Sequence, residues 1–396
     1  MPGQAVRSAL ATHSFSGNIY LVAIGKAAWE MAYAAWEALG YRIMKGIVIT
    51  KYGHARGEIP GLEIVEAGHP LSDENTIAGT RKAIELAQSL GRGDELLFLI
   101  SGGGSALLEQ PLPGLTLEDI IKINRQLLAS GADIVEINRI RKRLSAVKAG
   151  RFAQLSAPAK VFTVVLSDVL GDRLDSIASG PAAPDETTVE EALAVVEQYN
   201  LTLSDAAMEH LHRETPKRLD NVETVITGSV RNLCESAAEI AAELGYAPHI
   251  LCADMNCEAR EAGRLISAIA RQIDGGRCAI KRPCAIILGG ETVVTVKGGG
   301  KGGRNQELAL AACEGIAGME NIVIFSVGSD GTDGPTDAAG GIVDGTTFVR
   351  LREKGLSLHD LLANNDSYTG LDAVGGLIKT GPTGTNVNDI SVILCG

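Results

Sequence analysis

The chain has 396 residues, 45% hydrophobic and 21% charged, which implies two domains of about 100–200 residues each and excludes disorder as the main state. A formal net charge of −12 argues against a sequence-independent grip on nucleic acid or anionic lipid, so neither is expected as a partner. Only 4% of residues are aromatic while 47 are glycine, a balance suited to an α/β protein that holds polyanionic small ligands in glycine-rich loops.

In chain order, residues 19–24 read as a strand, Gly25 as a turn, and 26–39 as a helix closed by Gly40. Further strands are expected at 46–50, 63–66, 95–100 and 161–166, with helical patterns between them. That alternation predicts a parallel, doubly wound sheet with right-handed crossovers, and ligands at the carboxyl ends of its strands. The polar stretch 212–221 interrupts the pattern, and a strand at 222–226 restarts it, so a domain boundary is expected between residues 221 and 222. The second half offers strands at 249–251, 285–288, 292–296, 322–327 and 390–394. Two of these, joined at Gly289-Gly290-Glu291, suggest a hairpin and hence a mixed sheet. Apolar runs such as 96–100 are far shorter than the roughly 20 residues of a membrane span. Residues 1–17 lack the pattern of a secretory signal, so a cytoplasmic protein is expected. The seven cysteines form no CxxC pair and read as reduced thiols.

Chemistry concentrates in the loops. Ser101-Gly102-Gly103-Gly104-Ser105 follows a buried strand, and its amides could converge on an anion with no Cβ in the way; the plainer alternative is a tight turn. No Walker A pattern occurs. Lys26 is expected in a first helical turn, where the helix dipole disfavours a cation unless an anion is also bound; a solvated surface lysine is the alternative. Asp168, just past the strand at 161–166, could accept a hydroxyl proton or hold Mg²⁺, or merely cap a helix. Ser179-Gly180-Pro181 follows and could be a second anion-facing turn or a plain surface loop. Residues 297–304 (KGGGKGGR) satisfy GxGxxG only as any glycine run does, but they form a mobile loop carrying Lys301 and Arg304, whose fork could clamp a carboxylate or phosphate. Asp330, Asp333 and Asp337 miss the EF-hand spacing; with Glu291 they could bind Mg²⁺ or cap their own turns. Residues 381–389 form a last polar loop. His54 and His69 flank early loops as general bases or plain surface histidines. The equipment is that of phosphoryl transfer to a small acid.

Taken in order, Gly25-Lys26-Ala27-Ala28, Glu66-Ala67-Gly68-His69-Pro70, SGGGS at 101, LSDVLGD at 166, IASGP at 177, GGETVV at 289, GGRNQELALA at 302, SDGTDGPTDAAGGIVDG at 329 and TGPTGTNVND at 380 resemble the type II glycerate kinase (glycerate 2-kinase) family with its C-terminal MOFRL domain, from about Tyr20 to the C-terminus. The resemblance implies a Rossmann-like first domain (1–221), a MOFRL-type α/β second domain (222–396) and an active site in the cleft between them. It implies ATP and Mg²⁺ as cofactors, D-glycerate as acceptor and 2-phosphoglycerate as product. Carried onto matching positions, Lys26, Asp168 and Arg304 are the catalytic residues, Asp168 also the metal ligand, and Ser101, Gly102, Gly103, Gly104 and Ser105 hold the nucleotide phosphates. Small molecules are the expected partners, and a homo-oligomer is compatible with this reading. The chain departs from the family pattern in a short N-terminal segment, in Ala106 where a second serine is common, and in the extra cation Lys301. Two rivals remain: an NAD(P)-dependent hydroxypyruvate reductase, against which stands the lack of GxGxxG after the first strand, and a non-catalytic binding module.

Overall fold

The computed structural model describes residues 2–167, 174–381, 383 and 387–396. The chain divides into two compact units, Met1–Thr227 and Gly228–Gly396, and each is described by itself.

The first unit is built on six strands, β1 (Asn18–Ile24), β2 (Ile43–Lys51), β3 (Leu62–Ala67), β4 (Asp94–Ile100), β5 (Lys160–Leu166) and β6 (Val222–Thr227). Their spatial order is β3-β2-β1-β4-β5-β6, and every pairing is parallel. Central strands of such a sheet are covered on both faces and therefore read as unbroken apolar runs. β1 and β4 do so: Leu21 to Ile24 and Leu96 to Ile100 are all buried. The chain order reverses direction between β1 and β4, the switch point where doubly wound sheets bind ligands. Register makes the strand ends level there, because Ile24 lies opposite both Ile49 and Ile100. The helix Ala28–Leu39 follows β1 and ends at Gly40 as expected, but it starts two residues after Lys26. A helix at Pro2–Thr12, absent from the sequence expectation, packs on it through Gly3 and Ala34. A separate apolar cluster joins the helices Leu117–Ala129, Ile134–Leu144, Val189–Gln198 and Asp205–Leu211.

β6 completes this first sheet by pairing with β5 from Val161↔Val222 to Leu166↔Thr227. The division of the chain therefore falls after Thr227, not between 221 and 222. The polar stretch before β6 is a connection within the first unit, anchored where Asn221 donates to the carbonyls of Ala153 and Ala159.

The second unit carries β7 (Ala247–Met255), β8 (Cys284–Gly290), β9 (Ile322–Gly328), β10 (Gly340–Asp344), β11 (Leu377–Ile378) and β12 (Asp389–Cys395) in the order β11-β10-β9-β12-β8-β7. Only β7 and β8 pair in parallel, so the sheet is mixed. The expected hairpin does not form. Beyond β8 the chain leaves the sheet: Glu291 donates to the Met255 carbonyl, Val293 to that of Cys257, and Val293 makes a single bridge with Glu258. Val293 and Val296 are exposed rather than inward-facing, and β8 is flanked by β12 and β7. The helix Arg304–Ala312 lies at the centre of this unit, with every residue from Asn305 to Ala312 buried. All seven cysteines are free, and four of them are buried. Among the described residues no helix is long and apolar enough to cross a membrane.

Candidate functional site

In the first unit the loops after β1 and β4 are joined at the switch point. Ser101 N donates to the Ile24 carbonyl (3.0 Å), Lys26 N to the Gly102 carbonyl (2.8 Å), and Ala27 N to the Ser101 hydroxyl (3.0 Å). Gly25 has φ +113°, and a Cβ there would collide with that hydroxyl, so only glycine allows the two loops this approach. The buried Ser101 hydroxyl is thereby spent on holding the Lys26 loop. The amides of Gly102 and Gly103, by contrast, have no hydrogen-bond partner among the described residues. Lys26 is partly exposed, and among the described residues its side chain has no carboxylate partner. Two unpaired amides beside an unpaired cation form an anion site in the physical sense.

Both histidines singled out in the sequence reach this loop pair. His54 Nδ1 lies 2.9 Å from the Lys26 carbonyl, and since a carbonyl only accepts, this nitrogen carries the proton. His69 packs against Gly103, where a Cβ would stand 2.9 Å from the ring and 3.3 Å from Lys26 Cγ. At its far end the loop is tied to the 177–180 turn, with Ser105 Oγ 2.8 Å from Ser179 Oγ. Asp168 lies outside the described residues.

In the second unit Arg304 opens its helix with all three guanidinium nitrogens occupied. Nε and Nη2 fork onto Asp389 at 2.6 and 3.2 Å, and Nη1 bonds Glu291 at 2.8 Å. Burial works against the Arg304 cation, but the two carboxylates more than offset this and hold its pKa above the ordinary value. The arginine faces a cavity of about 600 Å³ lined by Glu291, Arg304, Asp330, Asp333 and Asn365. Asp389 closes the polar loop 381–389 noted in the sequence but was given no role there; its strand, pairing β8 at Gly290 and β9 at Gly328, brings it to Arg304.

The neighbouring carboxylates are not a metal cluster. Asp333 is buried and caps the Arg304 helix, accepting from Asn305 N (3.1 Å) and Gln306 N (2.9 Å), and burial pushes its pKa up. Asp330 accepts from Thr332 N in its own turn. Asp337 is bound by Lys379 Nζ (2.9 Å) and Tyr368 Oη (2.8 Å). Lys301 stands over the Tyr368 ring, 3.9 Å from its centroid, so the extra cation packs on an aromatic face. Among the described residues no three His, Cys, Asp or Glu side chains converge as metal ligands.

The glycine run before Arg304 differs most from expectation. The amides of Lys297 and Gly298 donate to Asn365 Oδ1, Gly299 N to Asn364 Oδ1, Gly300 N to the Asn364 carbonyl, and Lys301 N to Asp366 Oδ1. A Cβ on Gly298 would collide with the Asn364 backbone, and one on Gly303 with the Asp333 carboxylate. The loop is docked through its backbone, and its glycines other than Gly299 allow close packing.

Two family profiles match the chain: a domain of unknown function, DUF4147, over residues 1–212, and the MOFRL family over 284–389. The likeness thus starts well before Tyr20. A D-glycerate 2-kinase of Thermotoga maritima is 53% identical over 99% of this chain and 94% of its own length. A protein of Agrobacterium vitis bearing a provisional hydroxypyruvate reductase name is 40% identical over 96% of this chain and 88% of its own. The crystal structure of the glycerate kinase from Thermotoga maritima superposes with a TM-score of 0.93 at 52% identity, covering 100% of this chain and 95% of that one.

Proposed function

The chain belongs to the glycerate kinase family with a C-terminal MOFRL domain, and on that premise we propose that it transfers the γ-phosphoryl group of ATP to the C2 hydroxyl of D-glycerate, giving 2-phospho-D-glycerate and ADP. The observation that carries this reading is the joined loop pair at the β1/β4 switch point, where the Gly102 and Gly103 amides and Lys26 are free to meet phosphoryl oxygens.

Phosphoryl transfer needs positioning and charge neutralisation more than covalent chemistry from the protein. In this reading the 101–105 loop holds the nucleotide phosphates, with Ser101 acting through the Lys26 loop and not by direct contact. Lys26 neutralises charge on the transferring group. Asp168 accepts the proton of the C2 hydroxyl or contacts Mg²⁺, which arrives with ATP as part of the substrate. Arg304 is pre-oriented by Asp389; the half-exposed Glu291 (42% exposed) yields Nη1 to the incoming anion, while the buried Asp389 keeps the fork in place. The reading includes a cytoplasmic location, small-molecule partners only, and a first domain of glycerate kinase type followed by one of MOFRL type.

One coupled assay tests it: ADP release with D-glycerate against NADH oxidation with hydroxypyruvate. ADP release that depends on D-glycerate is expected. NADH oxidation without ADP release would replace the reading with the reductase, and D-glycerate binding without either would leave a binding module.

A further inference from the structure

The helix Ile134–Leu144 ends in Arg141-Lys142-Arg143, and Lys148 follows closely. A cation withdrawn from water is costly unless it is paired. Lys142, Arg143 and Lys148 are buried and paired, whereas Arg141 is only partly buried. Lys142 Nζ lies 2.9 Å from Asp175 and 3.2 Å from Asp185, Arg143 3.3 Å from Glu214, and Lys148 2.8 Å from Glu109. Arg141 has no carboxylate within ion-pair distance among the described residues. Its single hydrogen bond is a long one, Nη2 to the Ser105 carbonyl at 3.4 Å, and its Nε is buried without a partner. Glu109, whose charge favours the cation, gives Oε2 to Lys148, and its Oε1 is buried without a hydrogen-bond partner, beyond ion-pair distance of Arg141. Of the five donors on a guanidinium, most are therefore unspent at one end of the 101–105 loop.

The surroundings are polar and tightly fixed. Ser105 Oγ contacts Ser179 Oγ, which donates to Asn138 Oδ1 at 3.0 Å, and Asn138 lies one turn before Arg141 on the same helix face. Ala178 and Ser179 take left-handed φ of 52° and 59°, a conformation costing about 1–2 kcal/mol per residue without glycine. It is held by Ala149 N and Gly150 N on the carbonyls of Ser179 and Gly180 (3.1 and 2.6 Å). Strain of this kind is retained where hydroxyls must stand at set positions.

We propose that Arg141 is a substrate-binding residue that takes the carboxylate of the small-acid acceptor, with the Ser105 hydroxyl beside it. The assignment rests on the kinase reading above and adds an acceptor contact to it. Carboxylate is favoured over phosphate by the division of donors along the loop. Backbone amides and the point charge of Lys26, suited to phosphoryl oxygens, gather at Gly102 and Gly103. The planar fork of Arg141, suited to a carboxylate, meets the loop at Ser105.

The test uses the full chain and three variants, R141A, R141K and R141Q, each checked by thermal melting. Steady-state KM for D-glycerate and for ATP is measured, together with D-glycerate binding by calorimetry without nucleotide. R141A is expected to weaken D-glycerate at least about tenfold in both KM and Kd, the effect of losing a charged hydrogen-bonded partner, with KM for ATP within about threefold of wild type. R141K, which keeps the charge but loses the fork, should fall between. A folded R141A with wild-type glycerate affinity overturns the proposal, and so does a rise in KM for ATP alone, which would assign the arginine to a phosphate. If R141A does not fold, R141Q decides by the same criteria, and if that also fails to fold, Arg141 is a structural residue and the proposal falls. A wild-type protein that releases no ADP sinks the kinase reading instead, while the calorimetric comparison still judges Arg141.

Discussion

Two glycine-rich loops, 101–105 in the first unit and the 297–301 part of 297–303 in the second, use their backbone donors in opposite ways. In the first, the Gly102 and Gly103 amides are left without partners at the edge of a parallel sheet. In the second, each amide from Lys297 to Lys301 is taken by Asn364, Asn365 or Asp366. Glycine density alone therefore says little about ligand binding; where the backbone donors go decides it. In the first loop glycine exposes the backbone to a ligand, and in the second it lets the backbone lie against another segment.

The largest expected effect tests the first loop. Lys26→Ala should lower kcat about 1000-fold, in the range of losing a main electrostatic contact to the transition state, with an unchanged melt. Kinetics close to wild type would reduce the loop pair to a structural turn. Next comes packing in the second loop. Gly303→Ala should cost about 3 kcal/mol in urea unfolding, since its Cβ has no space beside Asp333, whereas Gly299→Ala, with nothing within 4 Å, should stay within about 0.5 kcal/mol. Equal losses at the two positions would contradict a docked loop. Asn365→Ala removes the acceptor of two amides and a donor to Glu307 and should cost about 2 kcal/mol; an unaltered urea midpoint would show that water replaces it freely.

The smallest effect concerns the exposed rim. Hydrogen bonds from Lys379 and Tyr368 hold the Asp337 carboxyl down at about 2, below its ordinary 3.8. A depressed folded pKa means that its stabilising contribution is present above pH 3.8 and lost as pH falls through 2. Melting temperature should thus fall slightly less steeply between these two pH values in Asp337→Asn than in the wild type. Parallel acid profiles would show that the cluster contributes nothing.

Much of the first unit was legible because buried parallel strands announce themselves as continuous apolar runs, and a loop after such a strand falls on the ligand edge by topology. That logic placed Lys26 and the 101–105 loop at the carboxyl ends of β1 and β4. It overreached at 292–296, a valine-rich run that looks like a strand, whereas Val293 and Val296 are exposed and the backbone of residues 291–293 bonds to the 255–259 segment. It also treated residues 297–303 as mobile, since nothing local reveals that Asn364 and Asn365 will accept their amides.

By itself the sequence determined the fold class, the six strands of the first sheet and the family, because periodicity and turn residues act over a few positions. Only the tertiary structure decided that Arg304 is bound by Asp389 and Glu291, that Asp333 caps a helix, and that Arg141, beside Ser105, has no carboxylate partner among the described residues. These outcomes depend on which distant groups share one low-dielectric space. Charge pairing there is set by strand register and helix packing, and neither is written within reach of any single motif.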